Sequence, residues 1–373
     1  MSRPAAWVSP VTSARSVPLN RKGVTVPDTV GIPTRVDELS PEWLTAFLAA
    51  NGHDVHIGSV RTEPVGTGQM AGSYRLHLDH ENAATLPDTV IAKLATGTPD
   101  QREFGSGVFR NEVRFYRDLA SSFSVPIPTC FAATISDPGT EFVLLLEDMG
   151  AAVQGDQIAG CTPAQAESIA VAAAGLHAPR WNDPTLLTDM PLPTDADREV
   201  MESILAPMAE VYRERFSPDG PSSAAVDWLV REAGEWLVAP LDNATLIHGD
   251  LRVDNVLFGH AGEVTVIDWQ TITTGNPLRD IAFLLSTSLS TDDRRRHERG
   301  IVASYHRALT IAGVSGYTLD ECWDDYVGNL IQAPLIIVFG SAAAQPTERG
   351  NAMFDAMLSR SAAAIDDLAP GGL

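Results

Sequence analysis

Strand-type and helix-type segments are segregated along this 373-residue chain. After residue 149 nearly every periodic segment has helical spacing, whereas the strand-type segments lie before residue 148 with one helical pattern among them. This β-β-β-α-β-β order predicts a small, mostly antiparallel sheet with one main helix, followed by a larger helical lobe. The predicted fold class is therefore α+β, with two lobes. The strand candidates are residues 56–64, 73–79, 89–95, 130–135 and 141–146.

The same patterns divide the chain into three parts. Residues 1–35 contain Pro, Ser and Arg without an apolar core segment, which predicts a loose N-terminal arm and not a secretory signal. Residues 36–148 predict the sheet-containing N-lobe, and residues 149–373 predict the helical C-lobe, interrupted by one hairpin. The helical patterns cover residues 41–50 and 109–120 in the N-lobe, and 163–177, 195–216, 222–238, 279–290, 292–313, 319–342 and 350–366 in the C-lobe.

Composition limits the classes of partner. A net charge of -22 argues against nucleic-acid binding, because a protein that binds a phosphate backbone needs a basic stripe. The longest apolar runs, such as Leu335–Phe339, fall short of the roughly 18 to 20 residues that span a bilayer, so we expect no membrane segment and a cytoplasmic location. Three widely spaced cysteines argue against a disulfide framework or a zinc site.

The segment from His248 to Asn255 contains the residue types that phosphoryl transfer requires. Asp250 is followed five residues later by Asn255, and thirteen residues beyond that by Asp268. An aspartate can orient an acceptor hydroxyl, while an amide and a second carboxylate can hold Mg²⁺ on ATP. The spacing predicts a phosphotransfer site.

Lysine is almost absent from the chain. Only Lys22 and Lys93 occur among 26 basic residues, which suggests that Lys93, inside an apolar strand-like run, marks a site where guanidinium cannot replace ammonium. Lys93 and Glu112 follow the order of the strand lysine and helix glutamate that pair in kinases. A solvent-exposed helix face is the alternative for Glu112.

A glycine-bearing turn, residues 65–73, joins the first two strand candidates. Gly66 and Gly68 can bring backbone N–H groups close to phosphates, with Ser73 at the end of the turn, although an ordinary hairpin loop has the same composition. No helix opens after this turn, so the context of a dinucleotide-binding Rossmann motif is missing.

Together these residues resemble the aminoglycoside phosphotransferase and choline kinase superfamily, whose fold is related to that of protein kinases. The resemblance extends from about residue 55 to the end of the chain. It is strongest in His248-Gly249-Asp250 with Asn255, Ile267-Asp268-Trp269, and Gly275-Asn276-Pro277-Leu278-Arg279-Asp280. Residues 111–116, 145–149 and 176–178 look most like the ecdysteroid-kinase-like, or CHK-like, branch.

The resemblance implies roles for the C-lobe residues. Asp250 would orient the acceptor hydroxyl and take its proton, and Asn255 and Asp268 would hold Mg²⁺. His248 and Asp280 would brace the catalytic loop instead of touching the substrate.

In the N-lobe, the resemblance implies a nucleotide site. Lys93 would contact the ATP phosphates, held in place by Glu112. The glycine turn with Ser73 would lie over the phosphates. The segment Leu144–Met149, with Glu147 and Met149, would be the hinge whose backbone meets adenine.

Arg252 lies two residues after the candidate base, at a point where many members of the superfamily carry histidine. We predict a catalytic role for Arg252 in neutralising charge on the transferring phosphoryl group. An internal salt bridge with Asp254 is an equal alternative.

Only eleven residues separate Asp268 from Asp280, which leaves no room for the long segment that binds peptides in protein kinases. The expected acceptor is therefore the hydroxyl of a small molecule, either an aminoglycoside-type antibiotic or a metabolic alcohol such as choline or a sterol-like compound. A catalytically silent pseudokinase or nucleotide-binding regulator is the alternative of a different class. The predicted pocket walls are Trp181, Trp228, Trp236 and Trp323.

Overall fold

A computed structural model describes residues 31–65, 71–81 and 86–369 of the chain. Two compact units are present: Met1–Ser121 with Ile127–Gly150, and Ser122–Pro126 with Ala151–Leu373. The first thirty residues, which make up most of the predicted arm at residues 1–35, lie outside the described residues.

The first unit contains a five-stranded sheet in which all neighbouring strands are antiparallel. The order across the sheet is β1-β2-β3-β5-β4, and each strand begins and ends within two residues of the predicted bounds. The small antiparallel sheet predicted for the N-lobe is therefore confirmed. The strands are β1 (Ile57–Pro64), β2 (Ala71–His80), β3 (Thr89–Ala95), β4 (Cys130–Ile135) and β5 (Phe142–Glu147).

Helix α1 (Pro41–Ala50) covers one face of this sheet. Ser40 caps it, because its Oγ accepts the Trp43 N–H at 3.2 Å. Val90, Ala92 and Leu94 of β3 belong to the apolar core that α1 completes. Since side chains alternate along a strand, the residues between these three point to the opposite face.

Helix α2 (Pro99–Arg114) lies on that opposite face, where the rings of Phe109 and Phe142 pack 4.8 Å apart. The predicted helix of about three turns around residues 109–120 was wrong in its bounds. It begins earlier because Thr98 caps a polar, mostly exposed first turn, and it continues beyond α2 as a π-helical turn, Phe115–Leu119.

The second unit is mostly helical, as predicted, with short strands around the motif region. Strands β8 (Val256–Phe258) and β9 (Val264–Val266) form the predicted hairpin. The sequence missed β6 (Val153–Gln154), β7 (Thr245–Ile247) and β10 (Thr273–Gly275) because each is only two or three residues long. The helices are α3 (Pro163–His177), α4 (Pro184–Asp189), α5 (Asp195–Phe216), α6 (Gly220–Leu237), α7 (Leu278–Ser288), α8 (Thr291–Ile311), α9 (Leu319–Gly328), α10 (Gln332–Ala343) and α11 (Glu348–Leu368).

The single helix predicted over residues 319–342 is instead two helices, α9 and α10. Asn329 lies at the break, and both ends of its side-chain amide are hydrogen-bonded. The amide oxygen accepts from Trp236 Nε1 at 3.1 Å, and the amide nitrogen donates to the Asp325 carbonyl at 2.7 Å. By length and composition alone, Leu319–Ala343 could cross a membrane, but 67% of its most apolar window is buried inside the protein. Such burial is typical of a core helix, so the segment is weak evidence for a membrane span.

Candidate active site

The predicted pair of Lys93 and Glu112 is present in the first unit. Lys93 Nζ lies 2.8 Å from Glu112 Oε1. The two side chains meet because Lys93 alternates with core residues on β3 and so points to the face that α2 covers. Glu112 is only 1% exposed, and a carboxylate buried so deeply requires a cationic partner.

The glycine turn is described only at its edges. Gly66 and Gly68 lie outside the described residues, so their predicted contact with phosphates stays a prediction. Ser73 is on β2, directly opposite Lys93 on β3. Because directly opposite residues of antiparallel strands point to the same face, Ser73 shares the face of Lys93.

The predicted adenine hinge, Leu144–Met149, is too long. Its first three residues pair with β3 and β4 in the interior of the sheet, so their backbone groups are occupied. The Glu147 N–H donates to the Thr129 carbonyl at 2.8 Å, and the Glu147 carboxylate accepts from the Thr129 hydroxyl at 2.8 Å. Contact of adenine with the end of this segment, residues 147–149, stays a prediction, and the next N–H, that of Gly150, already donates to Asp148 Oδ1 at 3.1 Å.

In the second unit, the catalytic loop follows β7 and is held by Asp280 at the start of α7. Asp280 is fully buried, and its two oxygens accept the N–H groups of His248 at 2.7 Å and Gly249 at 2.9 Å. Gly249 has φ +82°, and a Cβ there would collide with the Thr271 carbonyl, so only glycine fits. The loop is thus fixed through its backbone.

Two histidines complete this support. His177 Nε2 lies 3.2 Å from Asp280 Oδ2, and His177 Nδ1 lies 2.8 Å from the Tyr305 hydroxyl. Burial alone would raise the pKa of Asp280, but hydrogen bonding and charge from His177 keep that pKa below its usual value. The His248 ring bonds the Ile267 carbonyl and packs on Trp269. The predicted bracing by His248 and Asp280 is confirmed by these contacts.

Asp250 is held by two neighbours on the same loop. Arg252 Nε donates to both carboxylate oxygens at 3.1 and 3.3 Å. Asn255 Nδ2 donates to Asp250 Oδ2 at 3.0 Å and to the Asp250 carbonyl at 2.9 Å. Since the amide nitrogen of Asn255 is engaged, its oxygen is the end that remains to bind another group.

Arg252 is surrounded by carboxylates. Its Nη1 lies 3.0 Å from Asp254 Oδ2, so the salt bridge that the sequence left open is present, together with the contact to Asp250. Burial lowers the pKa of Arg252, but the charges of Asp250 and Asp254, with a smaller effect from Asp268, raise it above the usual value. Contact of Arg252 with a phosphoryl group stays a prediction.

Asp268 adopts a left-handed backbone conformation, with φ 67° and ψ 69°. Such a conformation is uncommon for residues other than glycine and is retained mainly at functional sites. Asp268 directly follows Ile267, whose N–H donates to the Asn255 carbonyl at 3.0 Å. Asn255 and Asp268 are thereby tied to one another through the backbone.

Sequence reasoning missed two buried glutamines that hold the catalytic loop. Gln157 accepts the Val253 N–H at 3.1 Å, and its own N–H donates to Asp254 Oδ1 at 2.7 Å. Gln332 donates to the Gly249 carbonyl at 2.9 Å. A signal existed for Gln332, which is a lone polar residue in a run of apolar residues on α10.

The predicted tryptophan walls have other partners. Trp181 packs against Tyr317 and Trp323 packs against Tyr326, so these two serve the packing of the second unit. Trp236 lies under Arg279 and lines a cavity in the second unit. Two residues of α11 contact the catalytic loop: Met353 Sδ lies 3.1 Å from Arg252 Nη1, and Arg349 Nη2 lies 3.5 Å from Asp254 Oδ1.

The sequence profile of the phosphotransferase enzyme family matches residues 101–317, which is more than half of the chain. The chain belongs to the phosphotransferase enzyme family. The predicted membership in the aminoglycoside phosphotransferase superfamily is thereby confirmed, and the protein is a small-molecule kinase.

The curated relatives match less than half of this chain. Acyl-CoA dehydrogenase family member 11 of Gallus gallus is 28% identical over 174 residues, which cover 44% of this chain and 21% of that protein. The Homo sapiens protein of the same name is 30% identical over 171 residues, covering 43% of this chain and 20% of its own length. The chain thus spans about a fifth of the length of these relatives.

Solved phosphotransferases share the fold of this family member. The GDP complex of aminoglycoside 2′-phosphotransferase-IIIa gives a TM-score of 0.53 at 15% identity, covering 86% of this chain and 98% of that one. Spectinomycin phosphotransferase with ADP and spectinomycin gives 0.52 at 14% identity, covering 86% and 96%. At such identity the likeness shows the fold, and the predicted protein-kinase-like α+β class is confirmed. Assignment to the CHK-like branch stays a prediction.

Proposed function

We propose that this phosphotransferase moves the γ-phosphoryl group of ATP, with Mg²⁺, onto a hydroxyl group of a small molecule, and that Asp250 accepts the hydroxyl proton. The observation that carries the proposal is the fixed carboxylate of Asp250. It is oriented by Arg252 and Asn255 on a loop whose backbone is bonded to Asp280.

Asp250 retains acceptor capacity for a substrate. A carboxylate has about four lone-pair positions, and Arg252 and Asn255 make three hydrogen bonds to it. In a largely dissociative transition state the proton moves late, so orienting the hydroxyl contributes more than strong basicity. The rigid support of Asp250 suits this task.

The residues present fit a magnesium ion. The amide oxygen of Asn255 and the carboxylate of Asp268 are hard oxygen ligands, and the strained backbone of Asp268 costs roughly 1–3 kcal/mol, a cost typical of functional sites. Asp250, Asp254 and Asp268 all raise the pKa of Arg252, so their negative charges act on one region of the loop, where a metal cation would be favoured. Two protein ligands suffice, because Mg²⁺ keeps several waters.

Within the described ranges, no group of three or more His, Cys, Asp or Glu side chains is arranged to hold a metal. The proposed site therefore depends on water and phosphate oxygens for its remaining ligands. When bound, ATP supplies the transferred group and Mg²⁺ neutralises charge on its phosphates.

Lys93 is suited to bind the phosphates of the nucleotide. Its ammonium group is held at 2.8 Å by the buried Glu112, so little side-chain freedom remains to be lost on binding. The solved relatives that bind GDP and ADP support a nucleotide site in this fold.

The acceptor is proposed to be a small hydroxyl compound. One relative of the same fold binds spectinomycin, whereas the curated relatives carry the name of an acyl-CoA dehydrogenase family member. The acidic chain, with a net charge of -22, suits a cationic antibiotic, and a metabolic alcohol is the alternative acceptor.

A screen for acceptor-stimulated release of ADP tests the proposal. Aminoglycosides, choline, sugars and hydrophobic alcohols are supplied with ATP and Mg²⁺, and at least one class is expected to raise ADP release. Tight ATP binding with no stimulation by any of the four classes would overturn it and favour a nucleotide-binding regulator.

A further inference from the structure

A cavity of about 170 Å³ lies within the second unit, and neither Asp250, Asn255 nor Asp268 is among its lining residues. One side of the cavity is apolar, formed by Trp236 with neighbouring Leu and Pro residues. The other side carries polar groups from β10 and the first turn of α7. Its size is close to that of a cavity of about 150 Å³ that binds benzene.

Arg279 contributes a guanidinium to this cavity. Its Nε donates to Gln332 Oε1 at 2.9 Å, and its Cζ lies 4.7 Å above the Trp236 ring. Among residues 31–65, 71–81 and 86–369, its two Nη groups have no hydrogen-bond or salt-bridge partner. Two donors of a charged group thus remain for a ligand.

Thr274 is a second, independent sign of a ligand. Its side chain is fully buried and lines the same cavity, yet its hydroxyl has no hydrogen-bond partner in the described part of the chain. Asn276 adds a third donor, because its amide oxygen is occupied by the Leu278 N–H at 2.8 Å and its nitrogen is left for other contacts. Buried polar groups are rarely left unsatisfied without a reason.

Arg279 is the one cationic side chain among the lining residues, so it is the group with which a ligand carboxylate would pair. Burial lowers the pKa of Arg279 to about 10, although the adjacent Asp280 opposes the effect, so the cation is poorly compensated where it lies. An anion would compensate it. Asp324 and Asp325 also line the cavity and would repel a phosphate more strongly than a singly charged group.

We propose that this cavity binds a small monocarboxylate with an apolar body. The carboxylate pairs with Arg279 and accepts from Thr274, and the apolar part packs against Trp236. This site goes beyond the proposed kinase reaction and does not depend on it.

Benzoate is the probe, because it combines one carboxylate with a ring that fits the cavity volume. Its affinity for the full chain is measured by calorimetry at constant ionic strength, beside benzamide, the neutral isostere, and inorganic phosphate. We expect benzoate to bind at least about tenfold more tightly than benzamide, a difference of about 1.4 kcal/mol, and more tightly than phosphate.

Variants locate the site. Arg279→Met is expected to abolish the preference for benzoate over benzamide, and Thr274→Val, which keeps the side-chain shape, to weaken benzoate binding several-fold. Arg299→Met is the matched control, because Arg299 also lies over a tryptophan, Trp323 at 4.0 Å, but does not line the cavity.

Three results would overturn the proposal. They are equal affinity for benzoate and benzamide, tighter binding of phosphate than of benzoate, and no benzoate binding at concentrations of about 10 mM. Should Arg279→Met fail to fold, an unchanged affinity in Thr274→Val would contradict the assignment.

Discussion

The two ion pairs that the candidate site depends on are built in different ways. Lys93 and Glu112 meet between a strand and a helix, so the alternation of a regular sheet aims one side chain at the other. Arg252 instead lies on an irregular loop, between Asp250 and Asp254, and that loop is held by residues far away in the chain. The first pair depends on secondary structure, and the second depends on tertiary contacts.

Of the two pairs, the first should show the larger effect. Lys93→Met should lower kcat/KM for ATP by about 10²–10³-fold, because one charged group that stabilises the transferring phosphoryl is removed. Lys22→Met is the matched control, since Lys22 is the only other lysine in the chain. A decrease of less than about threefold in Lys93→Met, measured by steady-state ADP release, would show that the pair is only structural.

The contacts of Asp280 with the catalytic loop should contribute to the free energy of unfolding, and that contribution should depend on pH. Asp280→Asn replaces one accepting oxygen with an NH2 group, so one of the two buried N–H groups loses its acceptor, and the free energy of unfolding should fall by about 1–3 kcal/mol. The pKa of Asp280 is lowered by folding, so its contribution is present above the unfolded pKa of about 3.9 and is lost as pH falls through the folded value. Urea unfolding of both proteins should therefore show a constant difference from pH 7 to about pH 4, and a smaller one in stronger acid. A difference that instead grows in acid would contradict the assignment.

Arg252 should show a smaller effect on turnover. Arg252→Ala removes the group that joins Asp250 to Asp254 and should lower kcat by roughly tenfold or more. Arg252→Lys should recover only part of the rate, because an ammonium cannot bridge both carboxylates as a guanidinium does. An unchanged kcat in Arg252→Ala would remove Arg252 from the mechanism.

Gln332 should have the smallest effect. Gln332→Leu, similar in size, removes the donor to the Gly249 carbonyl and should lower kcat about threefold to tenfold, with KM for ATP unchanged. Gln345→Leu, on the segment after α10, is the control and should leave kcat unaltered. Equal losses in both variants would point to a general loss of stability.

The sequence anticipated what regular structure determines. The strands, the pair of Lys93 and Glu112, and the Asp250, Asn255 and Asp268 spacing follow from periodicity and local motifs. The contacts of Gln157 and Gln332 with the catalytic loop do not follow from such patterns, because no periodicity relates either glutamine to the loop that it contacts.

Other failures have local causes. The predicted hinge ran too far into β5, because a strand at the interior of a sheet and a strand end look alike in sequence. The break between α9 and α10 lies at Gly328 and Asn329, residue types that commonly end a helix, and the prediction passed over this signal because apolar residues resume at Leu330. The tryptophans were predicted as pocket walls from residue type, which does not distinguish a core from a pocket. Trp236 lines a cavity, whereas Trp181 and Trp323 pack against tyrosines.

The role of Asp250 as the catalytic base is tested by comparing ATP binding with turnover in the original protein and in Asp250→Asn. Acceptor-stimulated ADP release and the Kd for ATP are measured for both proteins at saturating Mg²⁺. We expect kcat to fall by about 10²–10⁴-fold while the Kd for ATP changes less than about threefold, because Asp250 acts on the hydroxyl and not on nucleotide binding. A kcat that stays within about threefold of the original would contradict the assignment of Asp250 as the catalytic base.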